Sequence, residues 1–287
     1  MRVTFWGTRG SVPTPGPSTL RYGGNTSCVE MRTNAGTLLI FDSGTGIREL
    51  GLQLIRQGGP VSGHLLLGHT HWDHISGFPF FAPAFVPGNR LAIYGARDSS
   101  RSLRDVLAGQ MEPTYFPVPL NDLRADMVFC ELDEGKFHID NALVRTHFLN
   151  HTSLCMGYRV EADGVSVAYI TDHEAYGGVD SSLGGHAAHA GDRRLIEFVR
   201  GVDLVIQDAQ YTPEEYLQRR GWGHGSTAYV IDMAVEAGAR RVALFHHEPT
   251  HADDDIDRML QAAEARARRA GSSIEVLGAI EGGTVAL

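Results

Sequence analysis

His69-Thr70-His71-Trp72-Asp73-His74 sets four metal-ligand side chains within six positions. In extended backbone, residues two apart point to the same side, which lets His69 and His71 chelate one cation. If the chain then turns, Asp73 and His74 face a second cation close by. Imidazole combined with carboxylate suits zinc, manganese or iron rather than calcium. One loop cannot close two metal shells, so strand ends elsewhere must deliver the remaining ligands. His151 follows the apolar stretch 142–148, Asp172 follows 166–170, and His246 follows 241–245. Three terminal positions of three strands are what a metal site at one sheet edge requires. His247, adjacent to His246, competes with it for a single role.

The elements that must hold these groups are readable in outline. Strands are expected at 3–6, 28–32, 37–41 and 64–67, the last apolar throughout and therefore buried on both faces. Gly36 closes the turn Thr33-Asn34-Ala35-Gly36, where a hairpin calls for positive φ. A helix follows at 47–57. Residues 78–120 break the rhythm: prolines in FPFFAPAFVPG and MEPTYFPVP oppose regular ladders around a helix at 99–110. That segment reads as a packed insertion or as a lid over a pocket. The second half alternates strands at 142–148, 156–161, 166–170, 204–207 and 241–245 with helices at 193–200, 213–219, 227–237 and 255–270. Asp253, Asp254 and Asp255 suit the positive end of the last helix dipole. With no repeat and no linker, one domain over 1–287 is expected.

Composition bounds the function classes. A chain of 287 residues, 43% hydrophobic and 21% charged, has a core and is not disordered. Its 34 glycines announce many loops. A formal net charge of −9 opposes a long nucleic-acid partner unless a local basic patch exists. Cys28, Cys130 and Cys155 form no CxxC pair and are expected as reduced thiols. The segment MRVTFWGTRG lacks an apolar leader core, and no apolar run approaches the ~18 residues of a membrane span. A cytoplasmic protein without a membrane partner is the expectation.

In order, HTHWDH at 69–74, NHT at 150–152, YITD at 169–172 and LFH at 244–246 resemble the metallo-β-lactamase superfamily, within it the ribonuclease Z-like and phosphodiesterase branch. VTFWGTRGS near the start and FDSGTG at 41–46 extend the resemblance over nearly the whole chain. It implies an α+β fold, a four-layer αββα sandwich, with two divalent metal ions per chain, zinc first and manganese or iron next. Carried over, His69, His71 and His151 hold the first ion. Asp73, His74 and His246 hold the second, and Asp172 bridges them. Leu-Phe-His favours His246 over His247. The stretch from Asp208-Ala209-Gln210-Tyr211 through Gly223-His224-Gly225-Ser226-Thr227 resembles the acidic residue and His-Ser-Thr element of the ribonuclease Z branch. His224 is then the catalytic histidine facing the scissile phosphate, with Asp208 orienting it; Asp73 is counted among the catalytic residues as well. Asp208 stands where ribonuclease Z typically carries glutamate, which shortens the reach. The plainer reading of His224 is as the cap of a helix starting near Ser226.

This set implies a metal-dependent phosphoric diester hydrolase, with water activated near neutral pH and His224 protonating the departing oxygen. Lactone and thioester hydrolysis, other chemistries of the fold, need no separate histidine acid. Ribonuclease Z enzymes usually carry a long basic arm between the motifs of His151 and Asp172, whereas here those residues are only 21 positions apart. The expected substrate is therefore a small phosphodiester, a 3′,5′-cyclic nucleotide such as cyclic AMP or GMP, with no stable nucleic-acid partner and a homodimer as the assembly to consider. The alternatives are a transfer RNA 3′-processing endoribonuclease and a lactone or thioester hydrolase. A non-catalytic module would have lost ligands, and none is missing. Arg9 and Asn25, in early loops, are candidates for phosphate contact, against the plainer readings of a surface arginine and a turn asparagine. His64, His138, His147, His186 and His189 are read as structural or exposed.

Overall fold

The apolar runs become strands because both faces of two sheets are covered. The computed structural model describes residues 1–177 and 189–287. The first sheet collects β1 (Arg2–Gly7), β2 (Cys28–Arg32), β3 (Leu38–Phe41), β4 (Ser62–Leu66), β5 (Arg90–Ala96) and β6 (Asp126–Leu132). The second collects β7 (Gly135–Ile139), β8 (Ala142–Leu149), β9 (Cys155–Ala162), β10 (Val165–Ile170), β11 (Leu204–Asp208), β12 (Arg241–Phe245) and β13 (Glu275–Gly278). The final strand, β14 (Thr284–Ala286), returns to pair with β1. Each sheet is antiparallel at one side and parallel at the other: the change falls at β3 in the first and at β10 in the second.

Helices α1 (Ile47–Gln57), α2 (Trp72–Ile75) and α3 (Leu103–Gly109) lie on the first sheet, and α4 (Ala190–Phe198), α6 (Thr227–Glu236) and α7 (Asp253–Arg269) on the second; the short α5 (Pro213–Gln218) precedes α6. Alternation along the strands sorts the core into three slabs. Leu39, Phe41, Tyr169 and Phe245 meet between the sheets. Leu38 and Ile40 turn instead to Leu50 of α1 and Leu107 of α3, while Ala168 and Leu244 turn to Leu195 of α4 and Val230 of α6. A strand packed on both sides must be apolar at every position, which is why these stretches show no polar alternation. The result is the expected α+β, four-layer αββα sandwich.

Segment 78–120 corrects one expectation. It contains β5, which pairs with β4 and β6 along its length. The ladder forms because no proline lies within Arg90–Ala96; the prolines sit in the 3₁₀ turns Phe78–Phe80 and Ala82–Phe85 instead. Phe78 and Phe81 are buried, whereas Phe80 and Tyr115 are exposed. Strands β6, β7, β13 and β14 were not expected either; their mixed, half-exposed sequences carry little hydrophobic signal. Among the described residues no helix is long and apolar enough to cross a membrane, and Cys28, Cys130 and Cys155 are free thiols.

Candidate metal centre

The predicted ligands arrive at the C-terminal ends of β4, β8, β10 and β12, where the strands release their chains into loops. After β4, His71 lies in extended backbone, and its ring centroid is 4.4 Å from that of His69. His71 then leads into α2, and that single helical turn carries Asp73 and His74. His69, His71, His151 and Asp172 offer ligand atoms all within 4.8 Å of one another, and Asp73, His74, Asp172 and His246 do the same.

Asp172 belongs to both groups, and its two oxygens divide between them. Oδ2 lies 3.6 Å from His69 Nε2 and 3.7 Å from His151 Nε2. Oδ1 lies 3.2 Å from His74 Nε2 and 3.3 Å from His246 Nε2. On the second side Asp73 Oδ2 stands 3.3 Å from His74 Nε2 and 3.1 Å from His246 Nε2. The buried Nε2 atoms of His69 and His74 have no hydrogen-bond partner. Buried polar atoms are nearly always bonded, so orphaned imidazole nitrogens converging on a carboxylate fit a pair of borderline divalent cations.

Outer groups fix the rings. Asp42, at the end of β3 with φ 58°, accepts hydrogen bonds from His74 Nδ1 at 2.7 Å, Tyr169 Oη at 2.6 Å and the Gly68 amide at 2.6 Å. His151 Nδ1 donates to the Gly223 carbonyl at 2.8 Å, and His246 Nδ1 to Gln210 Oε1 at 3.1 Å. Each of these bonds leaves Nε2 aimed inward, the arrangement that orients metal-binding histidines. Sequence reasoning assigned no role to Asp42 or Gln210. Both lie inside the motif segments FDSGTG and DAQY, so proximity to a motif was the available signal.

The left-handed backbone at His246, φ 60°, turns this residue toward the cluster just after β12. Its neighbour goes the other way: His247 donates from Nε2 to the Ala279 carbonyl at 2.9 Å, and burial pushes its pKa down to about 3. His224 Nδ1 meets Asp208 Oδ2 at 3.0 Å, so the shorter aspartate does reach. Burial opposes the charge on His224, but Asp208 prevails and raises its pKa to about 9. The helix cap falls to Ser226, whose side chain accepts the Tyr229 amide. The His224 and His246 rings stack with centroids 5.1 Å apart, so the Asp208 pair borders the second ligand group.

Other expectations change. Arg9 is fully buried and donates to the carbonyls of Gly23, Glu248 and His251; it is neither a surface residue nor free to meet a phosphate. Asn25 donates from Nδ2 to Glu281. His173 is buried, its pKa lowered to about 3 by desolvation, and its Nδ1 accepts the Asn150 amide beside His151. His64, His138, His147 and His189 are in neither ligand group, and His186 lies outside the described residues.

The family model described as Beta-lactamase superfamily domain matches residues 37–247. A Ribonuclease Z from Natronomonas pharaonis is 27% identical, the match covering 88% of this chain and 89% of the relative. Among solved structures, the short form of human tRNase Z superposes with a TM-score of 0.64 at 19% identity, covering 100% of this chain and 99% of that one. Unliganded yeast PDE1 gives 0.67 at 17% identity, covering 100% and 99%. At such identities the two structures speak to the fold alone.

Proposed function

Because this chain belongs to the Beta-lactamase superfamily domain family, as a ribonuclease Z-like member, we propose that it is a dinuclear phosphodiesterase that cleaves near the 3′ end of an RNA. The observation that carries the reaction type is the His224–Asp208 pair, 3.0 Å apart, beside a carboxylate shared by two ligand groups. His69, His71 and His151 with Asp172 Oδ2 would hold one cation, and Asp73, His74 and His246 with Oδ1 the other, zinc before manganese or iron. Bound there, two dications supply an acidified water and neutralise charge on the phosphoryl oxygens.

The remaining work falls to the chain's own side chains. With Nδ1 held by Asp208, protonated His224 keeps Nε2 to deliver a proton to the departing oxygen. Asp208 also accepts the amides of Gln210 and Gly225, which fixes its carboxylate without that proton. Asp73 accepts the Ser11 amide at 2.7 Å and is kept in the catalytic set as a fixed carboxylate next to His246. RNA is preferred over the cyclic nucleotide expected from the sequence because the curated relatives are named Ribonuclease Z. The small-diester reading stays second on one observation: β9 and β10 are joined by a tight Asp163-Gly164 turn, with no arm between them. The same proposal takes 1–287 as one domain, with the exposed Phe80 and Tyr115 of segment 78–120 as a cover for the substrate.

The test is a metal-supplemented hydrolysis screen over precursor transfer RNA, cyclic AMP, cyclic GMP, bis(p-nitrophenyl) phosphate, a lactone and a thioester. Cleavage of the precursor near its 3′ end, with turnover of the synthetic diester, is expected. Turnover of cyclic nucleotides alone moves the function to the second reading, and turnover of the lactone or thioester alone removes the phosphodiesterase.

A further inference from the structure

A chain of net charge −9 that acts on RNA needs a local place for the phosphate backbone. Across the second sheet, Lys136 of β7 pairs directly with Arg145 of β8, and Arg145 pairs directly with Arg159 of β9. Directly opposed residues share a face, and like charges so placed destabilise a sheet. One carboxylate serves two of them: Glu161 Oε1 accepts from Arg145 Nε at 3.1 Å and from Arg159 Nε at 2.9 Å. Beside this row stand Arg194 of α4 and Arg200, which follows that helix. Together Arg145, Arg159, Arg194 and Arg200, with the carboxylates Glu161 and Glu197 between them, line a cleft of about 540 Å³.

From this juxtaposition we infer that the cleft between β8, β9 and α4 docks the phosphate backbone of the RNA whose 3′ end enters the metal centre. The inference rests on the RNA reading above. Arg159 is the anchor, with Nη1 bonded to the carbonyls of Phe198 and Arg200. The other three cleft arginines have side chains 42%, 63% and 56% exposed at Arg145, Arg194 and Arg200. Their partners Glu161, Glu134 and Glu197 form surface ion pairs, which are weak enough for a phosphate to replace. Strand β8 connects the cleft to the site. From Arg145 to His151 the chain spans at most about 20 Å, at ~3.3 Å per residue. The cleft therefore supplies a distant grip where the tight β9–β10 turn offers none.

The test uses the full chain loaded with metal. Precursor transfer RNA binding is followed by fluorescence anisotropy over a salt series for the parent and for the triple variant Arg145→Gln, Arg194→Gln, Arg200→Gln. The variant should bind at least tenfold more weakly, with a salt slope shallower by roughly 0.7–0.9 for each lost phosphate contact. Its hydrolysis of bis(p-nitrophenyl) phosphate should be unchanged, which also reports folding. Glu161→Gln, which frees two guanidinium groups, should tighten RNA binding. Equal affinity and equal salt slope in parent and triple variant, with RNA still cleaved, would overturn the docking surface and leave the RNA reading standing. A parent that hydrolyses the synthetic diester but neither binds nor cuts RNA overturns both, and binding of an acidic polypeptide in place of RNA overturns the surface as an RNA site.

Discussion

With Nδ1 of His224 held by Asp208 at 3.0 Å, only the other ring nitrogen is left to give a proton. His224→Ala should retain both cations and lose roughly 10²–10⁴-fold in rate on an RNA or cyclic diester. The loss should shrink for p-nitrophenyl esters, whose leaving group needs no proton. If the variant instead loses metal, or slows both substrates alike, the donor assignment falls. Asp42 acts at one remove: it holds the ligand His74 through Nδ1, together with Tyr169 and the Gly68 amide, and belongs to neither ligand group itself. Asp42→Asn should weaken metal affinity by roughly 10–100-fold, the usual scale for an orienting carboxylate, readable by competition with a chelator. Unchanged affinity would reduce Asp42 to a packing residue.

At the scale of elements, two glycines let separate chain segments approach the ligands. A Cβ at Gly10, in the loop after β1, would collide with the His246 ring, and one at Gly223 would collide with His151. Gly223 also adopts φ +87°, where an L side chain adds strain of roughly 1–2 kcal/mol. Gly10→Ala should therefore displace a ligand of the second group and Gly223→Ala a ligand of the first. Elemental analysis of each variant should give about one equivalent of metal, with circular dichroism unchanged. Two full equivalents in both would mean that the loops yield rather than the histidines. These contacts join residues far apart in the chain, and no local pattern in the sequence announces them.

For the whole molecule, the parent chain should carry two equivalents of divalent metal, and a one-to-one stoichiometry at full activity would refute the bridging role of Asp172. None of the three packed slabs contains a ligand side chain. Chelation should leave the secondary structure intact while lowering Tm by several degrees, since a ligand at 100-fold its Kd stabilises by about 2.7 kcal/mol. Unfolding on chelation would mean that the core cannot stand without the site. The two substrate readings differ at this scale as well, because the proposed grip, up to about 20 Å from the centre along β8, would be useful only to a long substrate.

The sequence by itself determined which residues converge. His69 to His74 had ligand chemistry at ligand spacing, and His151, Asp172 and His246 each followed a recognisable strand, β10 and β12 mostly buried and β8 alternating with Arg145 turned outward. The layering was legible only through the family resemblance of the motifs, since β5 lay within the proline-rich segment 78–120 and β6, β7, β13 and β14 carried too little hydrophobic signal to be read as strands. What only the tertiary structure decided was direction and reach. The division of Asp172 between two clusters, the left-handed turn that selects His246 over His247 and the burial of Arg9 depend on contacts between distant segments. So does the row Lys136–Arg145–Arg159, whose members sit in three different strands and meet through sheet register alone. Net charge is a property of composition, but a basic cleft is a property of register, and register is set only when the strands pair.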